Sequence, residues 1–190
     1  LSATEIVFVD SSVWNQSSVP QELLDSADEV VVLNADTDGV VEIADYLNGR
    51  TDIAAIHVIS HGEVGQLGPL VNTELHDHNL TDYASEFTTI GNALSADGDI
   101  LLWGCGVAGS DGTGFVQAIA SMTGADVAAS DDLTGSPALG GDWDLEYTTV
   151  PIEATNILAA FDPQITLESD TIGGAIAINS SGGSLYNKIG

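Results

Sequence analysis

The sequence predicts an α/β domain, a three-layer αβα sandwich around a mainly parallel central sheet. Three observations carry that expectation. Short apolar runs recur along the chain at residues 5–10, 29–33, 53–60, 99–103 and 125–130, each of strand length and without a polar face. Segments of helical periodicity alternate with them, the pattern of parallel strands covered on both faces. The chemically reactive residues follow directly on those runs, at the carboxyl ends of the strands, where such sheets gather their ligands.

Element by element, residues 5–10 (EIVFVD) read as a buried strand and residues 11–19 as a polar loop. Pro20 opens a short helix over 21–27, because proline is pre-organised for the first helical turn. Residues 29–33 (EVVVL) form the second strand, Asp38 and Gly39 turn the chain, and 40–47 have helical spacing. Residues 53–60 (IAAIHVIS) make the third strand, followed by a Gly-rich stretch over 61–68 and a small hairpin around Leu70. Thr81 is placed to cap a helix over 82–94. Residues 99–103 (DILLW) form the fourth strand, 104–112 a Gly-rich turn, 113–123 an amphipathic helix and 125–130 (ADVAAS) the fifth strand. Residues 142–149 (DWDLEYTT) alternate as an edge or hairpin strand. The folded domain is expected over 1–156. Residues 157–190 are Gly- and Ser-rich, a linker or the start of a following β module.

Composition narrows the function. Hydrophobic residues make up 44% of the 190, enough for a core and against global disorder. There are 29 acidic residues against two basic ones, Arg50 and Lys188, for a net charge of −27. Nucleic-acid binding needs cations to neutralise phosphate, and anionic membrane surfaces attract them too, so both classes are excluded. No apolar run approaches the ~18 residues of a membrane-spanning helix. An acidic surface of this kind suits high salt or divalent cations, which screen its self-repulsion, and the expected setting is secreted or cell-surface. The single cysteine forms no internal disulfide and says nothing of compartment. The chain opens on polar residues at Leu1 without a signal-peptide pattern, and is expected to be a piece of a longer protein.

Ser60, His61 and Gly62 follow one buried strand; Trp103, Gly104, Cys105 and Gly106 follow another. A thiol is a strong nucleophile once a base or a lowered pKa makes it a thiolate. An imidazole titrates near neutrality and serves as that base, or as the acid that protonates a leaving amine. Gly62 and Gly104 give room for a substrate backbone, and the N–H groups of Gly62 and Cys105 are candidates for an oxyanion hole. Taken singly, a cysteine after a strand is most often a small buried hydrophobe, and a histidine there a satisfied structural group. Together, at neighbouring strand ends and among glycines, they read as a Cys–His dyad.

His-Gly after one strand and Gly-Cys after the next resembles the caspase-like, clan CD cysteine peptidases: caspases, paracaspases, clostripain, gingipains and separase. More closely, the ordered blocks IVFVDSSV, IHVISHGEVGQL, DILLWGCGVAG, TGADVAASDDLTG and GGDWDLE resemble a bacterial domain of unknown function found near the start of very large secreted adhesin-type proteins. The likeness covers roughly residues 5–153. It implies a caspase-like fold and a cysteine endopeptidase acting on polypeptide, its own chain included. The chain departs from the family pattern at Glu63 and Val64, where small residues and a proline are usual.

In caspase-like peptidases the pocket for the residue before the scissile bond lies near the end of the first strand and past the strand that follows the nucleophile. Asp10 stands at the first place, Asp131 and Asp132 just past the second. The resemblance therefore implies an acidic pocket that favours Arg or Lys. The alternative is that Asp10 caps a turn and Asp131 and Asp132 are merely solvated. A peptidase of that specificity is spared self-digestion by lacking basic residues, which makes Arg50 and Lys188 candidate processing sites; salt adaptation explains the same depletion.

No cofactor is required by this chemistry. Asn34, Asp36, Asp38 and Gly39 resemble the first half of a calcium loop, with Asp45 at the bidentate position, although ordinary turn and cap roles account for the same residues. Calcium elsewhere on so acidic a surface suits the composition without being located by it. His57, His61, His76 and His78 have no spacing that closes a zinc site. The Gly-rich stretch over 104–114 lacks the P-loop lysine and carries Asp111, which argues against nucleotide. The leading expectation is thus a peptidase; its rival is a catalytically silent structural or interaction module on the same fold.

Overall fold

A computed structural model describes residues 4–14, 27–135, 137 and 140–154. The apolar runs become strands of one six-stranded sheet: β1 (Thr4–Val9), β2 (Glu29–Val32), β3 (Ile53–Ile59), β7 (Leu94–Trp103), β8 (Asp126–Ala129) and β9 (Tyr147–Thr148). Their order is β2-β1-β3-β7-β8-β9. Every pairing is parallel except the last, where β9 runs antiparallel to β8 at the edge. The hairpin expected around Leu70 is larger than foreseen, a three-stranded antiparallel sheet of β4 (Gly62–Glu63), β5 (Gln66–Leu70) and β6 (Thr73–His76).

Among the described residues three helices connect the strands: α1 (Gly39–Leu47), α2 (Ala84–Ala93) and α3 (Thr113–Thr123). Asp38 caps α1, its carboxylate accepting from the amides of Val40 and Val41, while Gly124, in the left-handed conformation, ends α3. The cap expected at Thr81 is not formed. Residues Leu80–Tyr83 make a 3₁₀ turn before α2, whose capping residue is Tyr83, without a side-chain bond. The edge strand expected over 142–149 is reduced to Tyr147–Thr148.

The apolar stripes of all three described helices pack on one face of the sheet, with Val40, Ile43, Phe87, Ile90, Phe115 and Ile119 against Ile6, Phe8, Ile56 and Ile100. Fully burying side chains of this size stabilises by roughly 1.5–3 kcal/mol each. The other face carries Val7, Ala55, Ile59, Leu101 and Trp103, and is covered by Trp143 with Leu133, Leu145 and Ile152. Among the described residues that second cover contains no helix. The helix expected over 21–27 falls almost wholly outside them, as does the linker over 157–190. The architecture is therefore mixed α/β with a mostly parallel sheet and helices on one described face.

The sheet's winding reverses between β1 and β3, since β2 lies on one side of β1 and the later strands on the other. Such switch points usually open a crevice at the carboxyl ends. Here the β5–β6 hairpin fills it. The Val71 amide donates to Asp10 beyond β1, and the Ser60 hydroxyl donates to the Pro69 carbonyl at 3.0 Å beyond β3.

Candidate functional site

The register of the sheet sets His61 and Cys105 at matching positions beyond neighbouring strand ends. Ile59 of β3 pairs with Trp103 of β7, and the Ser60 amide extends the ladder by donating to the Trp103 carbonyl at 3.1 Å. His61 and Cys105 each stand two residues beyond that last pair. The segments that carry them are pressed together. A Cβ on Gly62 would lie 2.7 Å from Val107 Cγ2 and 2.9 Å from the Gly104 carbonyl carbon, and one on Gly104 would lie 3.0 Å from the His61 carbonyl oxygen. The two glycines therefore serve the close approach of two strand-end loops, where the sequence suggested room for substrate. Gly106, at φ 62°, turns the chain immediately after Cys105.

Further bonds fix the turn. The Gly65 amide donates to the Val107 carbonyl at 3.0 Å, the Gly106 amide to Asp132 at 2.6 Å and the Ala108 amide to Ser130 at 2.9 Å. The Cys105 turn is thus tied to the loop after β3 on one side and to the loop after β8 on the other. Cys105 is only 6% exposed and His61 7%. The Cys105 thiol lies 3.5 Å from the Thr134 carbonyl, to which it donates, a contact suited to the protonated thiol rather than the thiolate. Nδ1 of His61 is buried and makes no hydrogen bond.

An open cleft of about 520 Å³ lies over this turn, lined by Gly62, Glu63, Val64, Cys105, Gly106, Asp132 and Leu133. A family model described as a domain of unknown function, DUF4347, matches residues 6–165. The chain belongs to the DUF4347 family. No curated protein and no solved structure matches it.

In this DUF4347 domain, Asp132 lines the cleft and Asp131 is its exposed neighbour, the Asp131 amide donating to Glu146 at 2.9 Å. Burial, with the negative charges of Asp142, Asp131 and Asp144, pushes the Asp132 carboxyl above its ordinary range. Burial raises Glu146 as well, helped by the charges of Asp132 and Asp131 and opposed by amide hydrogen bonds from Asp131 and from Glu146 itself. Asp10 is not part of this acidic group. It is fully buried, and its oxygens accept from Ser12 (2.6 Å from the amide) and from the Val71 amide. It fastens the hairpin over the end of β1, the turn-capping alternative, and does not line the cleft.

The remaining sequence candidates lie apart. Arg50 is 2.7 Å from Glu29 and stacks over the Tyr46 ring, 4.4 Å from its centroid; Lys188 lies outside the described residues. Asp38 spends its carboxylate on the α1 cap and on the Tyr83 hydroxyl at 2.7 Å. Burial works to raise Asp38, but the hydrogen bonds of Tyr83, Thr73, Val41 and Val40 outweigh it and hold the carboxyl below the usual aspartate range. Asn34 Oδ1 accepts from the Asp36 amide at 3.2 Å. These are turn and cap roles, and the carboxylates of Asp36, Asp38 and Asp45 form none of the three-membered acidic groups found among the described residues.

Sequence reasoning missed Glu63, Val64, Leu133 and Thr134. The first two were visible only as a departure from a family pattern. Their place in the cleft wall follows from β4 starting directly after His61. Thr134 carries no sequence signal, since its part is played by a main-chain carbonyl.

Proposed function

We propose that this domain is a caspase-like cysteine endopeptidase in which the Cys105 thiolate attacks a substrate carbonyl and His61 moves the proton. The single observation that supports this best is the shared wall: Cys105 and the Gly62 backbone next to His61 border one open cleft at the carboxyl ends of β3 and β7. In the reaction Cys105 gives its proton to His61 and forms the thioester, and His61 returns the proton to the leaving amine. The amides of Gly62 and Cys105 are assigned to the developing oxyanion. Glu63 and Asp132, both in the cleft wall, favour Arg or Lys before the scissile bond, because a cationic side chain relieves the crowding of Asp132 by Asp131, Asp142 and Asp144. The domain is placed in a large, secreted or surface-bound bacterial adhesin-type protein, for which the charge of −27 is suited. Self-processing is directed to Lys188 rather than to Arg50, which Glu29 holds.

The buried thiol, donating to Thr134, favours a second reading: a catalytically silent interaction module. On the peptidase reading the same contact is a latch, and the loop at 133–135 moves aside before the thiol reacts. Peptides with Arg, Lys, Asp or Leu before a reporter group separate the two. Cleavage after Arg or Lys by wild type and not by Cys105→Ala supports the peptidase. Cleavage only after Asp or Leu sinks the acidic pocket, and no cleavage of any peptide, with or without calcium, supports the silent module.

A further inference from the structure

At the opposite end of the sheet, on the face without described helices, the register aligns a second set of polar groups. Glu5 of β1 pairs with Ala55, Ala55 with Asp99, and Asp99 with Asp126. In parallel strands paired residues share a face, so three carboxylates lie in one transverse row with only an alanine between them. Asp99 is 1% exposed. Its Oδ2 accepts from the amides of Glu153 (3.0 Å) and Ala154 (2.7 Å), which lays the segment at 153–154 across the row. Its Oδ1 is buried and accepts no hydrogen bond. Carboxylate oxygens of Asp99, Asp126 and Glu153 lie within 4.8 Å of one another.

A buried carboxylate with an unpartnered oxygen needs a counter-charge. Among the described residues no lysine or arginine supplies one. The chain has two basic side chains, of which Arg50 is held by Glu29 and Lys188 lies outside the described residues. His57 is one row away and fully buried, but its Nδ1 accepts from the Trp103 indole N–H at 3.2 Å. An indole nitrogen only donates, so Nδ1 has no proton to offer Asp99, while Nε2 makes no hydrogen bond and lies 3.6 Å from Glu5 Oε2.

We infer that Asp99, Asp126 and Glu153 form a binding site for a hard divalent cation of the calcium class, which clamps the segment at 150–154 onto β7 and β8. The donors are all carboxylate oxygens, the set that suits calcium or magnesium rather than zinc or copper. Two ligands of one calcium ion at about 2.4 Å are at most about 4.8 Å apart, and these oxygens lie within that limit. Three carboxylates leave the remaining coordination to water, and the flexible geometry of calcium tolerates that better than the strict octahedron of magnesium. The orphaned Asp99 oxygen and the mutual repulsion of the row are both answered by the same ion. The site lies at the far end of the sheet from Cys105, so it stands or falls independently of the peptidase reading.

Calcium titration of the chelator-treated chain by calorimetry tests the site. One saturable site at 1:1 stoichiometry is expected, weakened at least ten-fold in Glu153→Gln and in Asp126→Asn, and unchanged in Asp142→Asn, which removes a carboxylate from the acidic group beside the cleft. Glu153 is exposed, so its variant folds whatever Asp126→Asn does. Absence of a saturable site in wild type, or equal weakening by all three substitutions, overturns the assignment and leaves Asp99 as a protonated acid or the binding as diffuse.

Discussion

The two ends of the sheet treat their polar side chains in opposite ways. At the carboxyl end Asp10 is taken up by Ser12 and Val71, Ser60 by Pro69 and Cys105 by Thr134. At the amino end Asp99 and His57 each keep a buried atom without a hydrogen bond. A satisfied group is quiet until something moves, whereas an unsatisfied one is an invitation to a ligand. Reactivity at Cys105 therefore calls for opening a latch, and completion of Asp99 calls for filling a site. His61 Nδ1 and Thr134 Oγ1 are exceptions at the closed end, each buried without a hydrogen bond.

The largest effect that sharpens this contrast concerns the thiol. Cys105→Ala is expected to lower peptide cleavage by on the order of 10³-fold or more while shifting the melting temperature little, because the side chain is small and its hydrogen bond to Thr134 is a weak thiol contact. Next comes the packing of the two loops. Gly62→Ala drives a methyl group into Val107 and the Gly104 backbone, an overpacking expected to cost about 1–3 kcal/mol in urea unfolding. Gly114→Ala, in α3 with nothing within 4 Å of the added carbon, is expected to stabilise by about 0.5–1 kcal/mol. Equal effects of the two substitutions would remove the argument that Gly62 serves close approach.

The amino end is probed through pH. Asp99 has its pKa raised above the ordinary 3.8 by burial, so the folded chain holds that proton more tightly than the unfolded one. Between the ordinary value and the raised one, stability falls as pH rises. Asp132 and Glu146 act with the same sign. The melting temperature is expected to fall as pH rises above the ordinary carboxylate range, and the fall should shrink in Asp99→Asn or under saturating calcium. A flat or opposite profile in wild type contradicts the assignment. The smallest effect belongs to Glu29, held low by hydrogen bonds from Arg50 and Tyr46. Its contribution is present above its ordinary pKa of 4.5 and lost as pH falls through the lowered value. With both partners about one-third exposed, Glu29→Gln is expected to cost no more than about 1 kcal/mol.

How much of this was legible in the sequence depended on the kind of interaction. Apolar runs of strand length located β1, β2, β3 and β8 within one residue at each end and the carboxyl half of β7, which begins five residues earlier at Leu94, because a sheet buried on both faces writes itself as uninterrupted hydrophobicity. The helix expected over 113–123 has the bounds of α3, and Gly124 ends it in the left-handed conformation. Thr81 misled, since a 3₁₀ turn can begin a helix without a side-chain cap. The pairing of His61 with Cys105 was inferred from glycines and strand ends, whereas the opposition of Ile59 and Trp103, which sets the two residues at matching positions, needed the register. The roles of Asp10 and Asp99 were hidden because both depend on amides brought from distant segments, Val71 in one case and Glu153 and Ala154 in the other. A carboxylate's partner can be any main-chain N–H, and sequence does not say which loop supplies it.

The central claim, that Cys105 and His61 act as one chemical unit, is tested most directly by the rate at which a small alkylating reagent modifies Cys105 at neutral pH, followed by mass spectrometry in wild type and His61→Ala. Alkylation at least ten-fold faster in wild type is the predicted result. Equal rates in the two proteins would contradict the dyad and leave Cys105 as a packed core thiol.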